Sequence, residues 1–155
     1  MSIYLRKLKF EDAIISWKWR NDPEVWQLTG RKWNNYVSQQ MEEDWIRKVA
    51  QEKDSVRFAI CIEETDEYIG NVQLTDITNS DAIFHIFIGN KNYWGKGYGY
   101  KATDLILKYA KTDLKLEMIK LKVKHNNSAA IKVYTKVGFK ALDCEGEYLT
   151  MIYKL

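Results

Sequence analysis

Along the chain, apolar and polar residues alternate in short runs, then switch to spacings of three and four, and the switches mark the elements. Residues 56–63 (Val-Arg-Phe-Ala-Ile-Cys-Ile-Glu) and 68–77 read as strands of an antiparallel hairpin around the polar turn Thr65-Asp66-Glu67. Residues 82–88 are almost wholly apolar, the pattern of a central strand buried on both faces. Met118–Lys124 alternates strictly, Ile119, Leu121 and Val123 against Lys120, Lys122 and Lys124, which predicts one buried and one wet face. Residues 3–8 supply a first strand, with Ile3 and Leu5 on one face and Tyr4 and Arg6 on the other. Residues 139–142 and 148–153 close the chain as two more.

Helices follow from the longer spacing. Residues 11–20 form one, ended by Asn21-Asp22-Pro23, and Ser38 caps another that runs to about residue 52 with Met41, Trp45 and Val49 as its stripe. Residues 24–37 between them show no clean period and read as an irregular aromatic segment. Residues 100–111 place Ala102, Leu105, Ile106, Tyr109 and Ala110 on one stripe and leave Lys101, Lys108 and Lys111 off it. Asn127-Ser128 opens a last helix over residues 129–137, stopped by Gly138. This order predicts an α/β (α+β) fold, a mixed sheet with helices on both sides.

Composition narrows the class. The 155 residues are expected to form one domain, 1–155, with a real core and no need of disulfides or metal. Eight glycines and one proline argue against long disordered linkers. A net charge of +3 falls short of a dedicated nucleic-acid binder, and Lys120, Lys122 and Lys124 read as the solvated face of a strand. Cys61 and Cys144, in or beside apolar runs, are expected to be buried thiols in a reducing compartment. No apolar run reaches membrane-spanning length and no signal-peptide core opens the chain, so a cytoplasmic location is expected. No His, Cys or carboxylate cluster has metal-ligand spacing, there is no serine elbow, and neither cysteine has a neighbour that would activate it.

The segment Trp94-Gly95-Lys96-Gly97-Tyr98-Gly99 stands between the apolar strand and the helix over residues 100–111. A strand, a glycine turn and a helix N-terminus together make an anion cradle, because glycine lets the backbone approach closely and free N–H groups point at the ligand. Lys96 adds positive charge. The plain alternative is a tight turn.

The turn Tyr93 to Gly99 and the run Asn127-Ser128-Ala129-Ala130-Ile131-Lys132-Val133-Tyr134-Thr135-Lys136-Val137-Gly138-Phe139, about thirty residues on, resemble two motifs of the GNAT superfamily of N-acetyltransferases. The string Trp19-Arg20-Asn21-Asp22-Pro23-Glu24-Val25 is similar to the branch holding ribosomal-protein-alanine and sugar-amine acetyltransferases. The resemblance implies a mostly antiparallel sheet of about seven strands, an acceptor-covering segment over residues 1–55 and an acetyl-CoA-binding core over 56–155. It further implies an enzyme taking acetyl-CoA as co-substrate, with no metal, and a small-molecule or peptide amine as acceptor. No nucleic acid or membrane partner and a monomer or homodimer are expected. The alternative function is a non-catalytic acyl-CoA-binding regulatory module.

Trp94, Gly95, Lys96, Gly97, Tyr98 and Gly99 would hold the pyrophosphate. Phe87 and Ile88 would border the pantetheine arm where, in the family, this strand splays from the next. Trp94 replaces the usual glutamine or arginine that opens the loop. Asn127 is either a plain helix cap or a cap that also binds the cofactor arm, the reading favoured here. Tyr134 is either a core tyrosine or the donor to the departing thiolate. For the base, Ile83 stands where relatives often carry glutamate, and His85, two residues on and on the same face, is the nearest titratable group; it is either a hydrogen-bonded core residue or the base, the rival being deprotonation through ordered water. Trp17 and Trp45 read as core; Trp26, Trp33 and Tyr36 as lid candidates over the acceptor. Glu24 and Asp76 are candidate carboxylates for a cationic amine, Asp76 being equally a turn residue.

Overall fold

The computed structural model describes residues 1–26 and 35–155. Among them, seven strands form one sheet in the order β1-β2-β3-β4-β5-β7-β6. These are β1 (Ile3–Lys7), β2 (Val56–Ile62), β3 (Tyr68–Thr75), β4 (Asp81–Ile88), β5 (Met118–Lys124), β6 (Lys140–Glu145) and β7 (Tyr148–Lys154). Every neighbouring pair is antiparallel except β4 and β5. The helices are α1 (Ala13–Arg20), α2 (Pro23–Trp26), α3 (Gln39–Val49), α4 (Tyr98–Thr112) and α5 (Ser128–Val137).

Strand register sorts side chains onto two faces. Ala59 pairs with Asn71 and Asn71 with Phe87, while Gln73 pairs with His85, so these share one face. That face is covered by α1 and α3 through Ala13, Trp19 and Ile46 packed with Ala59, Cys61 and Tyr68. On the other face Phe58, Ile60, Val72, Leu74 and Phe84 pack against Ala102, Ile106 and Ala110 of α4, with Ile131 and Tyr134 of α5 beside them. A bidentate pair fixes the start of α1 to the sheet: Arg6 Nη1 and Nη2 donate to Asp12 at 2.8 and 2.7 Å.

Four expectations need correction. The buried stripe of α3 is Glu42, Ile46 and Val49, one position round from Met41, Trp45 and Val49; Met41 is 51% exposed and Trp45 half-buried. The shift arises because Glu42 is drawn inward by Ser16 and Arg20, a polar contact that hydrophobic spacing does not register. Cys144 is exposed, since β6 is an edge strand with every residue exposed. The strand β4 is central but not buried on both faces: His85 is exposed and residues 86–88 are only partly covered. Trp26 lies on a short helix and is buried at 8% exposure, not on an irregular lid.

Candidate active site

Parallel pairing of β4 with β5 covers Asp81–Met118, Ala82–Ile119 and Ile83–Lys120 and continues no further among the described residues. Meanwhile β4 stays paired with β3 as far as Ile88, and β5 with β7 as far as Lys124. The two central strands therefore diverge, leaving an open edge along β4 from Phe84. Alternate residues of a strand present their main-chain groups to the same edge. Ile88 C=O accepts from Trp94 Nε1 at 2.7 Å, whereas the Phe87 carbonyl lies against Gly70 of β3. Phe84 and Ile86 thus turn their N–H and C=O groups into the gap.

A cleft runs through this gap from one face of the sheet to the other. On the α1–α3 side it is lined by Arg20, Trp26, Trp45, Asn71, Gln73 and His85; on the α5 side by Phe84, Ile86, Asn127 and Tyr134. Lys122 of β5 completes the wall.

Beside the α5 side of the gap, the glycine turn leads into α4. Gly95 has φ +71° and Gly97 φ +85°, left-handed conformations that favour glycine. A Cβ at Gly95, Gly97 or Gly99 would meet nothing within 4 Å, so the space over the turn is open. Gly97 is the N-cap of α4 and offers no side-chain cap, and the first turn carries no acidic residue. By contrast α3 is capped by Ser38 Oγ, accepting from Met41 N–H at 3.1 Å, and α5 by Asn127 Oδ1, accepting from Ala130 N–H at 3.2 Å. The longest helix thus points uncapped N–H groups into open space beside Lys96, an arrangement suited to a phosphate. The Trp94 indole, tied to Ile88, fixes this loop to the end of β4.

Asn127 and Tyr134 stand seven residues apart on α5, which is two turns along one stripe and about 10 Å of axis. The Tyr134 ring sits edge-on to Phe84, centroids 5.8 Å apart, and against Phe139 at 5.9 Å. Its hydroxyl has no hydrogen-bond partner among the described residues. Burial pushes its pKa up to about 12. The group therefore stays protonated over the neutral range and has a donor to give.

The α1–α3 side of the cleft is built from buried polar pairs. Glu42, 2% exposed, accepts from Ser16 Oγ at 2.8 Å and from Arg20 Nε at 3.0 Å. Tyr68, whose pKa burial raises well above normal, donates to Asn71 Oδ1 and so turns the Asn71 amide nitrogen outward. Trp26 Nε1 donates to Trp19 C=O at 2.8 Å and its ring packs on Phe87 at 4.9 Å. His85 Nε2 lies 3.0 Å from Thr75 Oγ1.

Of the residues singled out from sequence, the cleft brings together Trp26, His85, Phe87, Asn127 and Tyr134, and the cradle groups Trp94 to Gly99 next to it. Glu24 is held outside by Lys91, 3.2 Å away. Asp76 is an exposed turn residue at φ +49°. Tyr36 is 61% exposed against Trp17, itself half-buried, and Trp33 lies outside the described residues. Sequence reasoning missed Arg20, Trp45, Asn71, Gln73, Ile86 and Lys122. A signal for two of them was present: Asn71, Gln73 and Thr75 alternate with Val72 and Leu74, a polar face on an inner strand.

Residues 2–140 match the family model of the acetyltransferase (GNAT) domain. Over 139 residues the chain is 32% identical to the N-acetyltransferase p20 of Bacillus licheniformis, covering 88% of this chain and 78% of that protein. It is 25% identical over 148 residues to the acetyltransferase PseH of Campylobacter jejuni, covering 96% and 89%. Among solved structures, spermidine N-acetyltransferase from Vibrio cholerae, in complex with CoA and spermine, shares the fold at a TM-score of 0.87 and 22% identity, over 98% of this chain and 95% of that one. No helix among the described residues is long and apolar enough to cross a membrane, and none of their His, Cys, Asp and Glu side chains form a metal-holding group. With the match spanning most of the chain, and the diverging strands and glycine cradle lying where it falls, the chain belongs to the GNAT family of N-acetyltransferases.

Proposed function

We propose that the chain transfers an acetyl group from acetyl-CoA to a primary amine, on a small molecule or a peptide N-terminus, by direct attack within a ternary complex. The observation that carries this is the cleft through the sheet, with an uncapped helix N-terminus beside one mouth and a polar, aromatic-walled chamber at the other. Acetyl-CoA, when bound, supplies an activated thioester. The amides opening α4, with Lys96, suit its pyrophosphate, and the open edge at Phe84 and Ile86 suits its pantetheine arm. An N–H on that edge would hydrogen-bond the thioester oxygen, a preorganised donor worth about 3 kcal/mol in the transition state. Tyr134 donates a hydrogen bond as charge builds on the departing sulfur.

The attacking amine must be neutral. No carboxylate lines the cleft among the described residues, and Ile83 offers no base. Lys122 instead places positive charge in the cleft, which disfavours an ammonium and favours the free amine. His85 is the imidazole on the acceptor side of β4 and is our candidate to take the proton, directly or through water. A cysteine relay is disfavoured: Cys61 is buried with its thiol pushed up by burial, and Cys144 is on the far edge strand; neither lines the cleft.

Initial rates of thiol release, measured over a grid of acetyl-CoA and amine concentrations, test the reading. Intersecting double-reciprocal lines and strict dependence on amine are expected. Parallel lines would show an acyl-enzyme and reject direct attack. Tight acetyl-CoA binding with no amine-dependent release would favour a regulatory acyl-CoA binder, the reading that Ile83 supports.

A further inference from the structure

We propose that the acceptor amine carries an anionic group, a carboxylate or a phosphate, and that Arg20 is its anchor; the claim rests on the cleft being the acceptor site of the transfer proposed above. Arg20 closes α1 and is 17% exposed at the cleft wall. Its Nε donates to both oxygens of Glu42, at 3.0 and 3.2 Å, and Glu42 is fixed in turn by Ser16. The Arg20 Cζ lies over the Trp45 ring, 4.3 Å from the centroid, and over the Trp26 ring at 5.3 Å. The Nε edge is therefore held, and the group is packed against two indoles. Neither Nη has an acceptor among the described residues.

Arg6 provides the contrast. It packs under the same helical layer and uses both Nη groups in its bidentate pair with Asp12. Arg20 keeps its planar fork unused, in a position already ordered by packing, and such a fork matches the two oxygens of a carboxylate or phosphate.

The surroundings agree in sign. The Asn71 amide nitrogen, oriented by Tyr68, has no acceptor among the described residues, and Lys122 adds an ammonium to the same cleft. At this wall Glu42 is committed to Ser16 and to Arg20 Nε, and the groups left over are donors: the two Nη of Arg20, the Asn71 amide nitrogen and the Lys122 ammonium. A polyamine would set further ammonium groups against Lys122 and against the donor fork of Arg20, whose carboxylate partner Glu42 is already taken. An amine bearing an acid group satisfies the fork, while its reacting nitrogen stays under the influence of positive charge.

Matched pairs test this: an amino sugar and its phosphate ester, an amino acid and its amide, with spermidine as the polycation. Binding of each is measured by titration calorimetry with CoA at saturation, and turnover by thiol release from acetyl-CoA. We expect the anionic member of at least one pair to bind at least 10-fold tighter than its neutral partner, and spermidine to bind more weakly than either. The pair that shows the larger ratio identifies carboxylate or phosphate. Arg20→Lys keeps the charge and loses the fork; it should raise the anionic member's Kd and KM 10- to 100-fold, leaving the neutral partner within threefold and CoA affinity unchanged. Equal binding within both pairs, a preference for spermidine, or an equal effect of Arg20→Lys on both members would overturn the proposal. The wild-type comparison stands even if that variant fails to fold. Anion preference without amine-dependent thiol release would keep the Arg20 site and reject acetyl transfer; amine-dependent release without anion preference would do the reverse.

Discussion

Tyr134→Phe separates packing from chemistry at a single oxygen. The ring contacts with Phe84 and Phe139 are made by carbon atoms that phenylalanine retains. The hydroxyl has no protein partner among the described residues, and leaving a buried polar group unsatisfied costs about 1–3 kcal/mol. Its removal should leave stability unchanged or raise it, by up to about 1 kcal/mol given partial access to the cleft. Activity should move the other way. A hydrogen bond to a charged partner contributes about 1.5–3 kcal/mol, which at 1.36 kcal/mol per decade is about a 10- to 150-fold loss in kcat. Acetyl-CoA affinity should stay within about threefold, because that contact strengthens only as sulfur gains charge. Alkaline unfolding gives an independent reading. In the unfolded chain this tyrosine ionises near pH 10, whereas the folded protein holds the proton until about pH 12. The unfolded state binds fewer protons over that window, so stability present below pH 10 is lost as pH rises toward 12. Tyr134→Phe should shrink that loss without abolishing it, since Tyr68 is shifted in the same direction. The assays are thiol release, titration of acetyl-CoA, and thermal melts from pH 7 to 12. A kcat within threefold of wild type, with the melt unchanged, would refute the assignment; a large loss of stability at neutral pH would refute the claim that the hydroxyl is structurally idle.

Further predictions concern the cradle and the packing that shapes the cleft. Gly97→Ala puts a Cβ at φ +85°, costing about 1–2 kcal/mol in stability, and into the open space over the loop; acetyl-CoA Kd should rise at least 10-fold by titration. Asn127→Ala removes the α5 cap and should cost about 1 kcal/mol, whereas Asn127→Ser restores the cap; if only the alanine variant loses acetyl-CoA affinity, the residue acts through α5, and if both do, it touches the cofactor arm. Gly89→Ala would drive a Cβ into the Trp19 indole and should destabilise by about 3 kcal/mol, read as a lowered melting temperature.

The sheet was legible because its strands keep a period of two wherever one face is wet: Ile119, Leu121 and Val123 are buried as the alternation in Met118–Lys124 requires. The glycine turn was legible because Gly95 and Gly97, both at positive φ, report a backbone need directly. The α1–α3 wall of the cleft was not. Arg20 and Asn71 are placed by partners 22 and 3 residues away, Glu42 and Tyr68, and a polar residue drawn inward by another polar residue leaves no mark in hydrophobic spacing. The same effect rotated the predicted face of α3. Glu24 and Asp76 were chosen by charge alone, and the structure spends one on Lys91 and the other on a turn.

The most direct measurement is stoichiometry. The protein is incubated with acetyl-CoA carrying a labelled acetyl group, with and without an amine bearing a carboxylate or phosphate, and free thiol and labelled amide are counted together. The account predicts one acetylated amine for every thiol released and no release without amine. Thiol released without a matching amide, or no release alongside tight acetyl-CoA binding, would contradict it.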